Sequence, residues 1–62
     1  MHERQVLYDF DRTKPGEVSV KKDDRVFIIK GEDQTPGWVH IKIPGGEEGY
    51  IPASYVEEVF DY

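Results

Sequence analysis

The side chains with reactive potential are few in this 62-residue sequence: His2 and His40, Ser19 and Ser54, and the carboxylate pairs Asp23-Asp24, Glu47-Glu48 and Glu57-Glu58. There is no cysteine, which removes disulfides, thiolate zinc sites and cysteine nucleophiles. Two histidines do not complete a metal cage without carboxylate help. Neither serine lies in a Gly-x-Ser-x-Gly elbow. Neighbouring carboxylates on a strand point to opposite faces, so each pair reads as solvated charge and not as an acid–base dyad. Gly45-Gly46 precedes Glu47 and Glu48, which repel a phosphate. No enzyme, metal or cofactor is expected. Adhesion is the chemistry that remains, because Trp, Tyr and Phe make up 13% of the chain.

The elements that must position those rings are strands. Apolar residues alternate instead of recurring at helical spacing, and Gly or Pro punctuates the chain throughout. Gln5-Val6-Leu7-Tyr8, Glu17-Val18-Ser19-Val20, residues 25–30, Trp38 to Ile43, Glu48-Gly49-Tyr50-Ile51 and residues 56–59 read as strand segments. Pro44-Gly45-Gly46 reads as a hairpin reversal. No segment could hold a crossover helix, so the fold class is all-β, a small five-stranded barrel. The expected core is Val6, Val18, Val20, Val26, Ile28, Val39, Ile41, Ile51 and Val56. Trp38 falls with His40 and Lys42 on the face opposite Val39, Ile41 and Ile43. Its ring is therefore either partly covered by a loop or part of a contact surface. Tyr8 and Phe10 share the parity of Val6, and alternation alone sends all three inward.

The net charge of −5 at pH 7 argues against a nucleic-acid partner, whose phosphates call for a basic surface. No apolar run approaches the roughly 20 residues of a membrane span. A single domain over residues 4–60, cytoplasmic and monomeric, is the expectation.

Four ordered segments carry a family resemblance. Val6-Leu7-Tyr8-Asp9-Phe10 is similar to the Ala-Leu-Tyr-Asp-Tyr signature of the Src-homology 3 (SH3) family. Glu17 to Asp24 resembles its Glu-Leu-Ser-Phe-x-x-Gly-Asp segment, and Gly37-Trp38 its Gly-Trp-Trp element. Gly49-Tyr50-Ile51-Pro52-Ala53-Ser54-Tyr55-Val56 resembles Gly-x-Ile-Pro-Ser-Asn-Tyr-Val. Together they span residues 6–56.

The resemblance implies two packed antiparallel sheets closed into a barrel, with a short 3₁₀ turn before the last strand. It implies binding of proline-rich Pro-x-x-Pro segments in the polyproline II conformation, as an adaptor or scaffold module of the cytoskeleton or endocytosis. Tyr8 and Tyr55 would form one groove, and Phe10, Trp38, Pro52 and Tyr55 the next. Trp38 and Glu17 would flank a pocket for a ligand Arg or Lys, with Asp11, Glu32 or Asp33 assisting. Residues 11–16 correspond to the RT loop, 31–37 to the n-Src loop and 44–47 to the distal hairpin.

Departures from the pattern have consequences of their own. Phe10 lacks the hydroxyl of the usual Tyr. Ser54 stands where Asn commonly reaches a ligand carbonyl. Gly37 takes the place of an acid, Asp23 that of a turn glycine, and Val39 that of a second Trp. Tyr55 is Phe in ubiquitin-binding members, so that partner is disfavoured. Two other uses of the rings are an aromatic cage for methylated lysine and docking within the parent chain or a dimer.

Overall fold

The computed structural model describes residues 2–32 and 35–57. Among them are four strands, β1 (His2–Gln5), β2 (Arg25–Lys30), β3 (Trp38–Lys42) and β4 (Glu48–Pro52), followed by a 3₁₀ turn, Ala53–Tyr55. The strands form one antiparallel sheet in the order β1-β2-β3-β4. Isolated bridges curl the sheet toward closure. Val6 pairs with Val56, Phe10 with Val20, and Glu17 runs parallel to Tyr50.

Strand β2 owes its identity to β-branched residues, and β3 to alternation. Val39 and Ile41 are buried, while Lys42 is exposed and Trp38 and His40 are half-covered. The hairpin joining β3 to β4 turns at Pro44-Gly45, where the Gly46 N–H donates to the Ile43 carbonyl at 2.9 Å. Ile43 therefore leaves the strand, one residue before the expected end. Pro52 is the last residue of β4 and faces Trp38 across the ladder. A proline is tolerated there because its missing N–H interrupts only the end of the pairing.

Among the described residues, eight aliphatic side chains make up the core: Val6, Val18, Val20, Val26, Val39, Ile41, Ile51 and Val56. Each contributes roughly 1.5–3 kcal/mol by leaving water. Ile28, expected among them, is half-buried and packs against the cluster from its margin. The pairing of β2 with β3 shifts between Ile28 and Lys30, and that bulge ends the strict alternation.

Other expectations need correction. The first strand does not run from Gln5 to Tyr8: it ends at Gln5, and Val6 beyond it is held by its bridge to Val56 and by its N–H donating to the Asp24 carbonyl at 2.8 Å. Beyond it the Leu7 N–H donates to the Tyr55 carbonyl at 2.7 Å, and the Asp9 side chain accepts from the Lys22 N–H at 2.7 Å. These contacts pull the chain out of the β ladder. Residues 17–20 are not a strand either, since Glu17 pairs with Tyr50 and Val20 with Phe10. A segment that changes partners within four positions builds no ladder. The fifth strand is represented by the Val6–Val56 bridge and by the Glu57 N–H donating to the Gln5 carbonyl at 3.0 Å. The rest of its expected span, 58–59, lies outside the described residues. Asp23 does adopt the left-handed conformation of a turn glycine, with φ of 75°. Its N–H donates to the Val6 carbonyl at 2.8 Å and its carboxylate accepts from Gln5 Nε2 at 2.8 Å.

Candidate functional site

Four rings from three separate stretches of chain meet on one side of the sheet. Tyr8 and Tyr55 touch edge to face, with centroids 5.4 Å apart. Tyr55 meets Phe10 at 5.8 Å, and Phe10 meets Trp38 at 6.1 Å. The interplanar angles of 70°, 87° and 72° make a corrugated row and not a flat patch. Pro52 completes it, set beside Trp38 by the β3–β4 register and half-exposed.

Local structure explains why the rings are outward. Tyr8 follows the break after Val6, so its parity no longer binds it to the core face, and it is 58% exposed. Phe10 is half-buried because its backbone is locked to Val20 by two reciprocal hydrogen bonds of 2.9 Å, which press the ring's base against the core. Tyr55 is the last residue of the 3₁₀ turn, whose start is tied down by the Ala53 N–H donating to the Gly37 carbonyl at 2.9 Å. Gly37 itself has φ of 86°, a conformation that glycine adopts freely and other residues resist. Trp38 is held by its N–H donating to the Thr35 carbonyl at 3.0 Å.

The acids divide into two kinds. Asp11 and Glu32 are exposed, and Glu32 accepts from the Gly37 N–H at 3.3 Å, beside Trp38 in sequence. Glu17 is buried, 6% exposed. Its Oε1 accepts from the Thr13 N–H at 2.9 Å and the Thr13 hydroxyl at 2.8 Å. Those two donors, the backbone one foremost, hold the carboxyl below the usual glutamate range against the opposing effect of burial. The Lys14 N–H and ammonium add to the depression. Ser54 is exposed at the middle of the 3₁₀ turn, and Asp33 lies outside the described residues.

The depressed carboxyl makes the loop acid-sensitive. The stability that ionised Glu17 supplies is complete above the ordinary glutamate value of about 4.3 and fades as pH falls through the lower folded value. Denaturation midpoints measured across the acid range should therefore fall more steeply for the natural chain than for Glu17→Gln. Parallel acid limbs would mean that the Thr13 contact contributes nothing.

Sequence reasoning passed over one feature of this face. His40 and Tyr50, opposite one another in the β3–β4 register, stack with centroids 4.9 Å apart and planes at 21°. Counting outward from the Pro44-Gly45-Gly46 reversal would have paired them. No three His, Asp or Glu side chains converge as a metal site among the described residues. None of the described residues form a helix long and apolar enough to cross a membrane.

Comparison with known proteins fits this geometry. The family model for the variant SH3 domain matches residues 6–57. The chain belongs to the SH3 family. Over 51 residues it is 41% identical to formin-binding protein 1-like of Xenopus laevis, covering 82% of this chain and 9% of that protein. Over 54 residues it is 43% identical to myosin-1 of Neurospora crassa, covering 87% of this chain and 4% of that protein. The chain thus spans under a tenth of the length of either relative. Among solved structures, the C-terminal SH3 domain of myosin IB from Entamoeba histolytica, bound to the EhFP10(GEF) peptide, superposes with a TM-score of 0.80 at 28% identity. That match covers 97% of this chain and 85% of the other. As an SH3 domain the chain is an interaction module without catalytic function.

Proposed function

We propose that this SH3 domain docks proline-rich Pro-x-x-Pro segments across the row Tyr8, Tyr55, Phe10, Trp38 and Pro52, serving as a recruiting module of residues 4–60 in a longer cytoplasmic protein. The observation that carries the reading is the succession of rings, Tyr8 on Tyr55, Tyr55 on Phe10 and Phe10 on Trp38, each edge to face with the next. Such a row is corrugated, and a polyproline II helix, with three residues per turn and no internal hydrogen bonds, presents a ridged apolar edge to it. The ligand is already extended, so little ordering entropy opposes docking. Tyr hydroxyls, the Trp38 N–H and the Ser54 hydroxyl are the donors available to the ligand's free carbonyls.

A basic flanking residue of the ligand is received beside Trp38, where Glu32 is held by the Gly37 N–H, with Asp11 and, from the sequence alone, Asp33 as assisting acids. Glu17 acts from beneath: its inward carboxylate shapes the loop and contributes field to the same pocket. Such charges set ligand direction more than they add affinity. The peptide-bound myosin IB domain supports a peptide-docking use of this fold. The names of the relatives, a formin-binding protein and a myosin, favour a host linked to the actin cytoskeleton. An aromatic cage for methyl-lysine fits less well, because a cage surrounds one point and these rings touch in succession.

Titration with a proline-rich peptide flanked by arginine, followed by the indole N–H resonance of Trp38, tests the reading. The resonance should move with saturable dependence on peptide and return when peptide is removed. An indole signal that stays fixed at excess peptide rules the groove out.

A further inference from the structure

The outward face continues past Trp38. The next β3 side chain on that face is His40, and the register sets it between Tyr50 of β4 and Lys30 of β2. Regular pairing from Phe27 opposite Lys42 and Ile28 opposite Ile41 would bring Ile29 opposite His40. The bulge brings Lys30 there instead. Bulges commonly re-aim a side chain next to a binding site. Here the effect is to put an exposed lysine, in place of an aliphatic residue, in register with one of the two stacked rings.

Those rings are half-buried, and neither the imidazole nor the Tyr50 hydroxyl has a hydrogen-bond partner among the described side chains. Their donors remain available to an outside group. The RT-loop arm borders the same place: the Gly16 carbonyl accepts from the Tyr50 N–H at 2.8 Å, and Lys14 is exposed on that arm. Three acids neighbour the patch. Glu17 has Oε1 filled by Thr13 and Lys14 acting on its charge. Glu48 stands one row further along, paired in register with Lys42. Glu32, two residues past Lys30, accepts from the Gly37 N–H at 3.3 Å. Donors and cations outnumber free carboxylates here, in a chain whose net charge is −5.

We propose that the His40–Tyr50 stack with Lys30 is a subsite for a carboxylate: an Asp or Glu of the ligand lying just beyond its proline-rich core. The inference rests on the proline-groove reading and extends it. The ligand carboxylate accepts from the Tyr50 hydroxyl and the imidazole N–H and faces the Lys30 ammonium. The preferred partner is consequently a proline-rich segment of mixed charge, with its cation at the Trp38 pocket and its anion just beyond that cation, on the side away from Tyr8 and Tyr55.

Calorimetry with a set of peptides sharing one Arg-flanked proline core tests this. Each is extended at one terminus or the other by Glu or by Gln. At low salt one Glu peptide should bind about three- to tenfold tighter than its Gln counterpart, a preference that shrinks as salt rises. Lys30→Glu should abolish or reverse the preference while changing affinity for the unextended core by less than about twofold. His40→Ala should reduce the preference and leave Lys30's salt dependence in place. Equal binding of Glu and Gln peptides at both termini overturns the subsite while the groove stands. Failure of the unextended core to bind overturns the groove and the subsite together.

Discussion

Gly49→Ala is expected to produce the largest loss of stability of any single methyl added to this domain. Gly49 is buried in β4 opposite Ile41. A Cβ built there would stand 2.7 Å from the Gly16 carbonyl oxygen and 2.8 Å from Val18 Cγ1. The first of these is backbone, and it is already fixed by the Tyr50 N–H, which donates to it at 2.8 Å. The arm therefore cannot retreat without breaking that bond and straining the Glu17–Tyr50 bridge. Overpacking of this sort costs about 1–3 kcal/mol, a large part of the roughly 5 kcal/mol at the lower end of domain stability. For a domain this small the melting midpoint should fall by about 5–20 °C. Proline-peptide affinity should weaken too, because the displaced arm leads back through Thr13 to the base of Phe10. A midpoint equal to that of the natural chain would mean the loop arm is not clamped at Gly49.

The close approach at Gly49 shows what a sequence conveys and what it withholds. Alternation identified β3 and β4 and eight buried aliphatics, because burial on one face of a strand leaves a period of two. It could not locate Tyr8, since parity carries through a segment only while the segment stays extended, and the chain breaks its ladder just after Val6. Resemblance supplied Tyr8, Phe10, Trp38, Pro52 and Tyr55 as a set, and the structure does bring those five together. Neither route revealed that Glu17 is turned inward onto Thr13, because an acid in a polar loop looks the same whether its partner is a ligand or the loop's own backbone. Nor could either anticipate the bulge that sets Lys30 opposite His40. A one-residue slip leaves no trace in a run such as Val26-Phe27-Ile28-Ile29, where both faces are apolar.

Trp38→Ala should separate binding from folding. Val39 and Ile41 serve the core from the other face of β3, and the backbone bonds from Trp38 N–H to Thr35 and from Ala53 N–H to Gly37 do not involve the indole. The stability lost is mainly the edge-to-face contact with Phe10, worth about 0.5–1.5 kcal/mol, together with part of the ring's burial. Affinity for proline-rich peptides should drop by about 30-fold or more, the scale of a central aromatic anchor contributing 2 kcal/mol or above. Trp38→Phe separates the two contributions of the indole. It keeps a ring beside Phe10 and Pro52 but removes the N–H, and a lost hydrogen bond of about 0.5–1.5 kcal/mol corresponds to an intermediate, several-fold weakening. Calorimetry gives the affinities and urea denaturation the stabilities, so each variant is placed on both axes. An alanine variant that folds and still binds with the natural affinity would show that the ligand does not lie along these rings. A phenylalanine variant as weak as the alanine one would show that the N–H, and not the apolar face, is what the proline segment engages.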